Sequence, residues 1–449
     1  QTSASRSFSI TVQNNAPSNH FNTVLYTGNG STQAISSLNF SPGLVWVKCR
    51  STNDPSALVD SVRGASETLF SDNTNAQANR TSVTAFNSNG FTLGNYTNTN
   101  RNNDTYVAWN FKAGGAAVTN TEGTINSDVS VNNTLGFSIV SYTTQSSGTA
   151  TVGHGLSSPP DMVIVKTTGV ADSWRTYHSS LGEGFQIFLN LTNAASGTAN
   201  QWNNTSPTNS VFSLGTDNAG SYTTIAYCFT SKPGFSKVGS YTGNGSTSGP
   251  MVQTGFEPAF VIIKWTGAGS WNIIDNKRDT TNPATKRLFA NLANAETTGI
   301  NVLDFYANGF QIKNNDAGFN SNGGTYIYLA FAADGSTATP SLANSFATEI
   351  YTGNGGTQSV TTGFKPDFTW IKSRSAALSN VLHDTLTQPG LLISNGTNAL
   401  INNGSNTVDF TSNGFNLQGG GSHTSVNGSG DTYVAWNWKA GGTPSINTD

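Results

Sequence analysis

The sequence predicts an all-β fold: four tandem antiparallel β-sandwich domains with little helix. Three observations support this. Short runs of β-branched and aromatic residues recur along the chain. Asn-Gly and other Gly-rich turns separate such runs every 8–12 residues or so, which is typical of hairpins in a sandwich. A long, capped segment with the 3.6-residue periodicity of a helix is not found.

The composition excludes several classes of protein. Charged residues make up 10% of the 449-residue chain, against about 25% in average globular proteins. Aromatic residues at 10% and hydrophobic residues at 35% exclude a disordered chain. The net charge of −3, without clustered Lys or Arg, excludes nucleic acid as a partner. Because no apolar run approaches about 18 residues, we expect no membrane insertion.

The N-terminus and the two cysteines carry limited information. Residue 1 is Gln, so we expect a processed chain or a fragment of a longer protein without a signal peptide. Residues 1–19 resemble a linker or the tail end of a preceding Ig-like domain. Cys49 and Cys228 fall in different repeats, which predicts two free, buried thiols rather than a disulfide or a zinc site.

Four segments of the chain share a series of landmarks. The first is a Tyr followed by a Gly-rich turn, at Tyr26, Tyr241 and Tyr351, with a weaker copy at Tyr142. The second is a Pro followed six residues later by a Lys, with an apolar run between them. These Pro-Lys pairs are Pro42 and Lys48, Pro160 and Lys166, Pro258 and Lys264, and Pro366 and Lys372.

Three more landmarks follow each Lys. The first is one titratable residue: Asp60, His178, Asp275 or Asp384. The second is an Asn-Ala pair, ending at Ala76, Ala194, Ala295 or Ala399. The third is an aromatic closing strand: Tyr106 to Phe111, Tyr222 to Phe229, Tyr326 to Phe331 or Tyr433 to Trp438.

The repeat length sets the predicted domain organisation. Successive landmark lysines lie about 100 residues apart, the size of a small domain with its own core. We therefore expect separate domains on a string, with repeats two and three packed as a pair. The predicted boundaries are 20–115 for repeat one, 116–133 for a linker, 134–234 for repeat two, 235–337 for repeat three and 338–449 for repeat four.

Alternation in the closing strand predicts which residues share a face. In repeat one, Tyr106, Ala108 and Asn110 should lie on one side, and Val107, Trp109 and Phe111 on the other. The near-continuous apolar runs before the landmark lysines indicate strands buried in a sandwich core. The best helix candidates are single turns near the Asn-Ala pairs.

The landmarks resemble a known family. The unit YTGNGSTQ, FSPGLVWVKCRS, LVDSVRG, VTAFNSNGFTLG and DTYVAWNFKAGG is similar to a domain of unknown function that recurs in tail-fibre-like and other structural proteins of marine bacteriophages. The resemblance covers roughly residues 21–442. It implies concanavalin-like or lectin-like jelly-roll sandwiches and a virion structural or host-binding role, and it implies no defined ligand.

Few residues in this sequence are candidates for catalysis or for binding a metal or cofactor. The titratable landmark changes type between repeats, which favours a structural carboxylate over a catalytic one. Carboxylate pairs suited to glycoside cleavage do not recur across the repeats, so an enzyme is not predicted and a polysaccharide-degrading activity is only an alternative. No cofactor is predicted. A structural Ca²⁺ at Asn314 to Asn320 is unsupported, because the stretch departs from the EF-hand pattern.

The landmark lysines and several aromatic residues are the remaining candidates. A Lys that closes an apolar strand usually carries its ammonium to the rim of the sheet, and a shared ligand-binding role is the alternative. Trp46, Trp109, Trp370 and Trp436 lie in apolar strands and are predicted core residues. The candidate glycan contacts, placed mainly in polar or Gly-rich loops, are Tyr96, Trp174, Tyr177, Trp202 and Trp271.

These features together predict a non-enzymatic phage fibre or appendage protein on the virion surface. It would adhere to a host-surface glycan, with weak contacts on several repeats adding through multivalency. Its other predicted partners are virion proteins or copies of itself. The alternatives are a purely structural decoration or filament-forming protein, a polysaccharide-degrading enzyme, and an adhesin on a bacterial cell surface.

Overall fold

Antiparallel β-strands form nearly all of the regular structure. The structure is a computed structural model that describes residues 16–197, 200–333, 346–402, 408–418 and 424–440. Strands account for 43% and helices for 4%. Every pair of named strands is antiparallel, as the short β-branched runs and Gly-rich turns predicted. The predicted all-β fold class is therefore confirmed, and the likeness to lectins stays a prediction.

Each of the first two repeats pairs a large sheet with a small one. The strands of repeat one are β1 Phe21–Thr27, β2 Gln33–Ile35, β3 Leu44–Cys49, β4 Ala57–Asp60, β5 Glu67–Phe70, β6 Ala78–Asn79, β7 Val83–Asn87, β8 Gly90–Leu93 and β9 Thr105–Phe111. Their orders are β1-β9-β3-β4-β5-β6 and β2-β8-β7. The strands of repeat two are β10 Val118–Asn120, β11 Ser127–Asn132, β12 Phe137–Thr143, β13 Ala150–Gly153, β14 Met162–Thr167, β15 Arg175–His178, β16 Phe185–Phe188, β17 Ser196–Gly197, β18 Val211–Leu214 and β19 Thr223–Phe229. Their orders are β10-β11-β12-β19-β14-β15-β16-β17 and β13-β18.

Repeats three and four share one topology. The strands of repeat three are β20 Ser236–Thr242, β21 Met251–Gln253, β22 Phe260–Trp265, β23 Trp271–Asp275, β24 Leu288–Phe289, β25 Leu303–Tyr306, β26 Gly309–Ile312 and β27 Thr325–Phe331. Those of repeat four are β28 Phe346–Thr352, β29 Gln358–Thr361, β30 Phe368–Ser373, β31 Val381–Asp384, β32 Leu392–Ile393, β33 Val408–Thr411, β34 Gly414–Leu417 and β35 Thr432–Trp438. In each, a five-stranded sheet (β20-β27-β22-β23-β24 or β28-β35-β30-β31-β32) accompanies a three-stranded one (β21-β26-β25 or β29-β34-β33).

The two faces of each large sheet have different neighbours. In repeat one, Tyr106 and Ala108 point into the core shared with the small sheet. Val107, Trp109 and Phe111 point the other way and belong to a second apolar cluster. The predicted alternation along the closing strand is thus confirmed. We call the side turned away from the small sheet the back face.

The back faces of repeats one, two and three share a single core. One cluster of buried residues takes members from all three large sheets, including Phe111, Phe229 and Phe331. The chain divides into two compact units, one ending at Thr337 and the other starting at Ala338. The expectation of separate domains on a string is therefore wrong for the first three repeats. They form one body because both faces of their large sheets are apolar.

The predicted linker at 116–133 is also corrected. Strand β10 pairs with β11, and β11 pairs with β12, so this segment extends the large sheet of repeat two. Val129 packs in the sandwich core of that repeat. The Asn- and Thr-rich composition concealed a short alternating pattern, because Ser127, Val129 and Val131 share one face of β11.

Short helices clamp the Tyr-Gly turns. They are α1 Thr97–Asn100, α2 Ala317–Asn320 and α3 Thr424–Asn427, each directly before a closing strand rather than near an Asn-Ala pair as expected. In repeat one, Asn100 Oδ1 accepts a hydrogen bond from Asn29 N (2.9 Å), and its Nδ2 donates to Gly94 O (2.7 Å). A Cβ on Gly28 would lie 2.2 Å from Arg101 O, so this turn requires Gly. Asn320 makes the same clamp, which accounts for the Asn-rich stretch from Asn314.

Two further expectations concern the ends of the chain and the membrane. Most of the predicted Ig-like remnant, residues 1–15, lies outside the described residues, and Pro17–Asn19 form a short 3-10 turn. Among the described residues, no helix is both long and apolar enough to cross a membrane.

Candidate functional site: the joint between the first three repeats

Aromatic side chains from three repeats meet at the centre of the joint. Phe111, Phe229 and Phe331 occupy the same position of their closing strands and form a triangle with ring-centroid distances of 6.2, 5.2 and 5.9 Å. Phe111 also contacts Phe21 at 4.9 Å and Phe137 at 5.5 Å. Such equivalent contacts indicate a pseudo-threefold arrangement of the three large sheets.

The joint is a packed core rather than a binding pocket. A cavity of only about 20 Å³ lies among back-face residues of all three repeats, including Trp46, Ile164 and Ile262. Its exposed lining is entirely apolar, so nothing in it would hold a water molecule by hydrogen bonds. The joint therefore contributes stability and shape, and it offers no room for a substrate.

Three backbone hydrogen bonds close the ring at equivalent positions. Gln77 N donates to Thr168 O (2.8 Å), joining repeats one and two. Ala195 N donates to Thr266 O (2.7 Å), joining repeats two and three. Glu296 N donates to Arg50 O (2.9 Å), joining repeat three back to repeat one. In each pair the donor directly follows the Asn-Ala landmark, and the acceptor lies two residues after the landmark Lys.

The titratable landmark lies in the joint and follows the same cycle. Tyr227 of repeat two donates its hydroxyl to Asp60 Oδ2 of repeat one at 2.8 Å. Trp109 of repeat one donates Nε1–H to Asp275 Oδ2 of repeat three at 3.0 Å. Both carboxylates are fully buried, and each is paired with the Arg three residues later at 2.6 Å. These contacts support the structural interpretation of the landmark.

The change of residue type in repeat two has a physical explanation. Repeat three carries Leu329 where the other two repeats of the ring carry Trp109 and Tyr227, so it supplies no side-chain donor. The matching landmark is His178, whose Nε2 instead faces the backbone carbonyl of Tyr328 at 3.4 Å. Burial lowers the pKa of His178 to about 4, so its imidazole is neutral at neutral pH. A buried carboxylate at this position would lack a donor from repeat three.

Two of the landmark lysines also contact a neighbouring repeat. Lys48 Nζ donates to Ala293 O of repeat three at 2.7 Å, and Lys166 Nζ donates to Thr74 O of repeat one at 3.2 Å. Lys264 Nζ donates within its own repeat to Gly267 O at 2.8 Å. All three side chains are buried, and burial lowers the pKa of each to about 8. The prediction that the ammonium group reaches the rim of the sheet is therefore wrong for these three lysines.

Four of the five predicted glycan contacts are buried. Trp174, Trp202 and Trp271 are each at most 2% exposed, and Tyr177 is 4% exposed. Trp174 Nε1 donates to Phe70 O, and Trp271 Nε1 donates to Phe188 O, both at 2.8 Å and both across repeat boundaries. Tyr177 and Trp202 pack in the sandwich core of repeat two. Gly/Ser-rich surroundings suggested surface loops, but the neighbouring repeat or the small sheet covers these rings.

Tyr96 is the fifth candidate, and it is partly exposed. The guanidinium of Arg80 lies 5.1 Å from its ring centroid, and the ring of Phe70 lies 6.4 Å away. A cation therefore already occupies one face of the ring. The predicted buried Trp46 and Trp109 are confirmed, whereas Trp370 is 36% exposed. The two cysteines are free and buried, as predicted.

One acidic cluster lies in repeat one. Ligand atoms of Cys49, Asp54 and Asp104 come within 4.8 Å of one another. Arg101 Nη1 lies 2.9 Å from Asp54 Oδ2 and 2.8 Å from Asp104 Oδ2, so a guanidinium already neutralises the pair. Although desolvation opposes it, hydrogen bonds from Ser51, Arg101 and Thr52 lower the pKa of Asp104. A glycosidase acid needs a raised pKa, so Asp104 is not suited to that role.

An open polar cleft in repeat three offers a concave surface that could take a ligand. It has a volume of about 370 Å³ and lies between the loop after β23 and the β25-β26 hairpin. Tyr306 contributes a ring that is 40% exposed, and its hydroxyl donates to Asp304 Oδ2 at 3.0 Å. Asn276 Oδ1, also at this cleft, is buried and has no hydrogen-bond partner.

Sequence reasoning missed both surfaces for identifiable reasons. A signal for the joint was present, since apolar runs such as LVWVK leave no polar side for solvent and so require cover on both faces. The cleft gives no sequence signal, because Tyr306 and Asn276 come from segments 30 residues apart that only the fold brings together.

The fold and the joint define a class: an all-β repeat protein in which three of four sandwiches close into a ring. The chain belongs to a family described as a domain of unknown function, DUF7483, whose model matches residues 16–334 and 341–449. No curated protein and no solved structure matches the chain.

Proposed function

We propose that the protein is a non-enzymatic structural component on the outside of a phage particle, a building block of a fibre or other appendage. One observation carries the proposal: the positions that the four repeats share are used, in the first three, for contacts between repeats. An enzyme or a receptor-binding protein with one site per repeat would keep its shared side chains in accessible pockets. Here Asp60, Asp275 and Lys48 are buried in a joint instead.

The setting of the proposal comes from the resemblance of the landmark motifs to virion proteins. The physical properties agree with that setting. A sparsely charged, densely packed β-protein without disulfides depends on buried apolar area for its stability.

Immunogold electron microscopy tests the proposal. Antibodies raised against the purified chain should label the outside of intact particles from the organism that carries the gene, at regular positions. Labelling should survive washing in high salt, because the contacts of an integral component are largely apolar. Protein that is found only in the soluble fraction of lysed cells, with unlabelled particles, would contradict a structural role in the particle.

Glycan adhesion is a second candidate, favoured by the cleft around Tyr306. Exposed aromatic rings beside polar side chains are the usual chemistry of sugar recognition, with the ring stacking on the apolar face of the sugar. Asn276 lines the same cleft and places a polar amide side chain near the ring. This candidate keeps the adhesion hypothesis but moves it from the buried tryptophans to repeat three.

A glycan array with two matched tyrosine variants tests adhesion. If the cleft binds a glycan, Tyr306→Ala should weaken binding about tenfold or more, the loss expected for a good aromatic contact. Tyr222→Ala is the control, because Tyr222 is 41% exposed in repeat two and does not line the cleft. Equal binding by both variants, or no binding by the wild-type chain, would exclude this cleft as a glycan site.

A further inference from the structure

The fourth repeat carries the same back face, and its aromatic residues are only partly buried. Strand pairing places Trp370 opposite Trp436, and Phe346 and Phe368 opposite Trp438. These pairs match Trp46 with Trp109, and Phe21 and Leu44 with Phe111, in repeat one. The ring contacts match as well, since Trp370 and Trp436 lie 5.7 Å apart, as do Trp46 and Trp109.

Exposure separates the two back faces. Trp46 and Phe111 are 5% and 2% exposed, whereas Trp370 and Trp438 are 36% and 37% exposed. Leu386, two residues after the titratable landmark Asp384, is 71% exposed. Its equivalent in repeat one, Val62, packs against the shared core of the ring. Contiguous exposed aromatic residues of this kind mark a protein–protein contact surface.

We propose that three copies of the chain associate through the back faces of their fourth repeats. The partner that covers this back face is inferred from the first three repeats. There, the same positions on three copies of one unit pack against one another and close a ring. The back faces of those repeats are already used by one another, so a fourth repeat needs partners from two other chains. The result is a homotrimer in which the intermolecular joint copies the intramolecular one.

The ring contacts have counterparts in repeat four. Leu400 follows the Asn-Ala pair, as Gln77 does, and Arg374 lies two residues after the landmark Lys, as Arg50 does. In the trimer, Leu400 N of one copy donates to Arg374 O of the next. Trp436 Nε1–H donates to the carboxylate of Asp384, as Trp109 does to Asp275.

Hydrogen bonds within repeat four already orient the carboxylate of Asp384 as that of Asp60 is oriented in repeat one. Its Oδ1 accepts hydrogen bonds from Leu386 N and Thr387 N, both at 2.8 Å, as Asp60 Oδ1 accepts from Val62 N and Arg63 N. Its Oδ2 accepts from the Thr387 hydroxyl at 2.8 Å where Asp60 accepts from Arg63. A carboxylate held in the same orientation can thus accept the same donor from a neighbouring copy.

Native mass spectrometry and sedimentation equilibrium on the full chain test the proposal, which does not depend on where the protein works. At micromolar concentration, we expect a trimer of about 141 kDa from the 47.1-kDa chain. Trp370→Glu and Trp438→Glu should each give a monomer, because a charge would be buried in the apolar joint. Val118→Glu is the control and should stay trimeric, since Val118 is a 70% exposed apolar residue outside repeat four.

A milder variant guards against misfolding. Trp436→Phe keeps an aromatic ring on the back face but removes the donor for Asp384, and it should weaken trimer formation about tenfold. A monomeric or dimeric wild-type chain would overturn the proposal. So would a trimer that persists in Trp370→Glu and Trp438→Glu, or one whose stability does not change in Trp436→Phe.

Discussion

Asp275→Ala should lower the free energy of unfolding of the three-repeat body by about 3–5 kcal/mol, the usual cost of breaking a buried ion pair. Arg278 would keep its charge in a fully buried position. Its Nε–H and its backbone N–H would both lose the carboxylate oxygen that accepts their hydrogen bonds. Trp109 Nε1–H would lose its acceptor as well. Glu296, 3.2 Å from Arg278 Nη1, would offset only part of the loss.

Urea denaturation followed by tryptophan fluorescence measures this change. Lys313→Ala is a matched control, because it breaks a 3.3 Å pair with Asp304 at the edge of repeat three, where Lys313 is partly exposed. We expect that variant to lose less than about 1 kcal/mol. Equal losses in the two variants would mean that Asp275 is not buried in a joint.

Phe111→Ala should cost a similar amount, about 3–5 kcal/mol, because it removes a buried aromatic ring from the centre of the joint. Phe111 contacts phenylalanine rings from all three repeats, among them Phe137, Phe229 and Phe331. The cavity left behind cannot close easily, since each neighbour is held by its own sheet. The loss should therefore destabilise repeats two and three together with repeat one.

Proton exchange of backbone amides, resolved by repeat, measures how far the effect spreads. Leu25→Ala is the control, because Leu25 is 40% exposed on β1 in the same large sheet, and it should leave protection in the other repeats unchanged. If Phe111→Ala accelerated exchange in repeat one alone, the three repeats would be independent domains.

The sequence alone was sufficient for the all-β fold class and for the division of the closing strand of repeat one into two faces. Alternation in TYVAWNF divides Tyr106 and Ala108 from Trp109 and Phe111, and the structure separates them in the same way. Local patterns carry this information because the strand period is two. The short helices were predicted at the wrong place, near the Asn-Ala pairs, because four residues are too few for a periodic signal.

The joint could not be predicted from the sequence, because its contacts depend on which repeats pack against each other. Trp174 and Trp271 follow Gly/Ser-rich stretches that are typical of exposed turns, yet their indole N–H groups donate to Phe70 O and Phe188 O of neighbouring repeats. The sequence alone does not explain why repeat two carries His178 where the other repeats carry an Asp. This difference is explained once repeat three is seen to carry Leu329 at the position where Trp109 and Tyr227 supply a donor.

The contact between repeats one and three closes the ring, so it is the contact on which the three-repeat body depends most directly. A double-mutant cycle with Trp109→Phe and Asp275→Asn measures that contact between residues far apart in sequence. We expect a coupling energy of about 1 kcal/mol or more, as found for hydrogen-bonded neighbours. Additive effects within about 0.3–0.5 kcal/mol, the usual result for sites that do not touch, would contradict the closed ring.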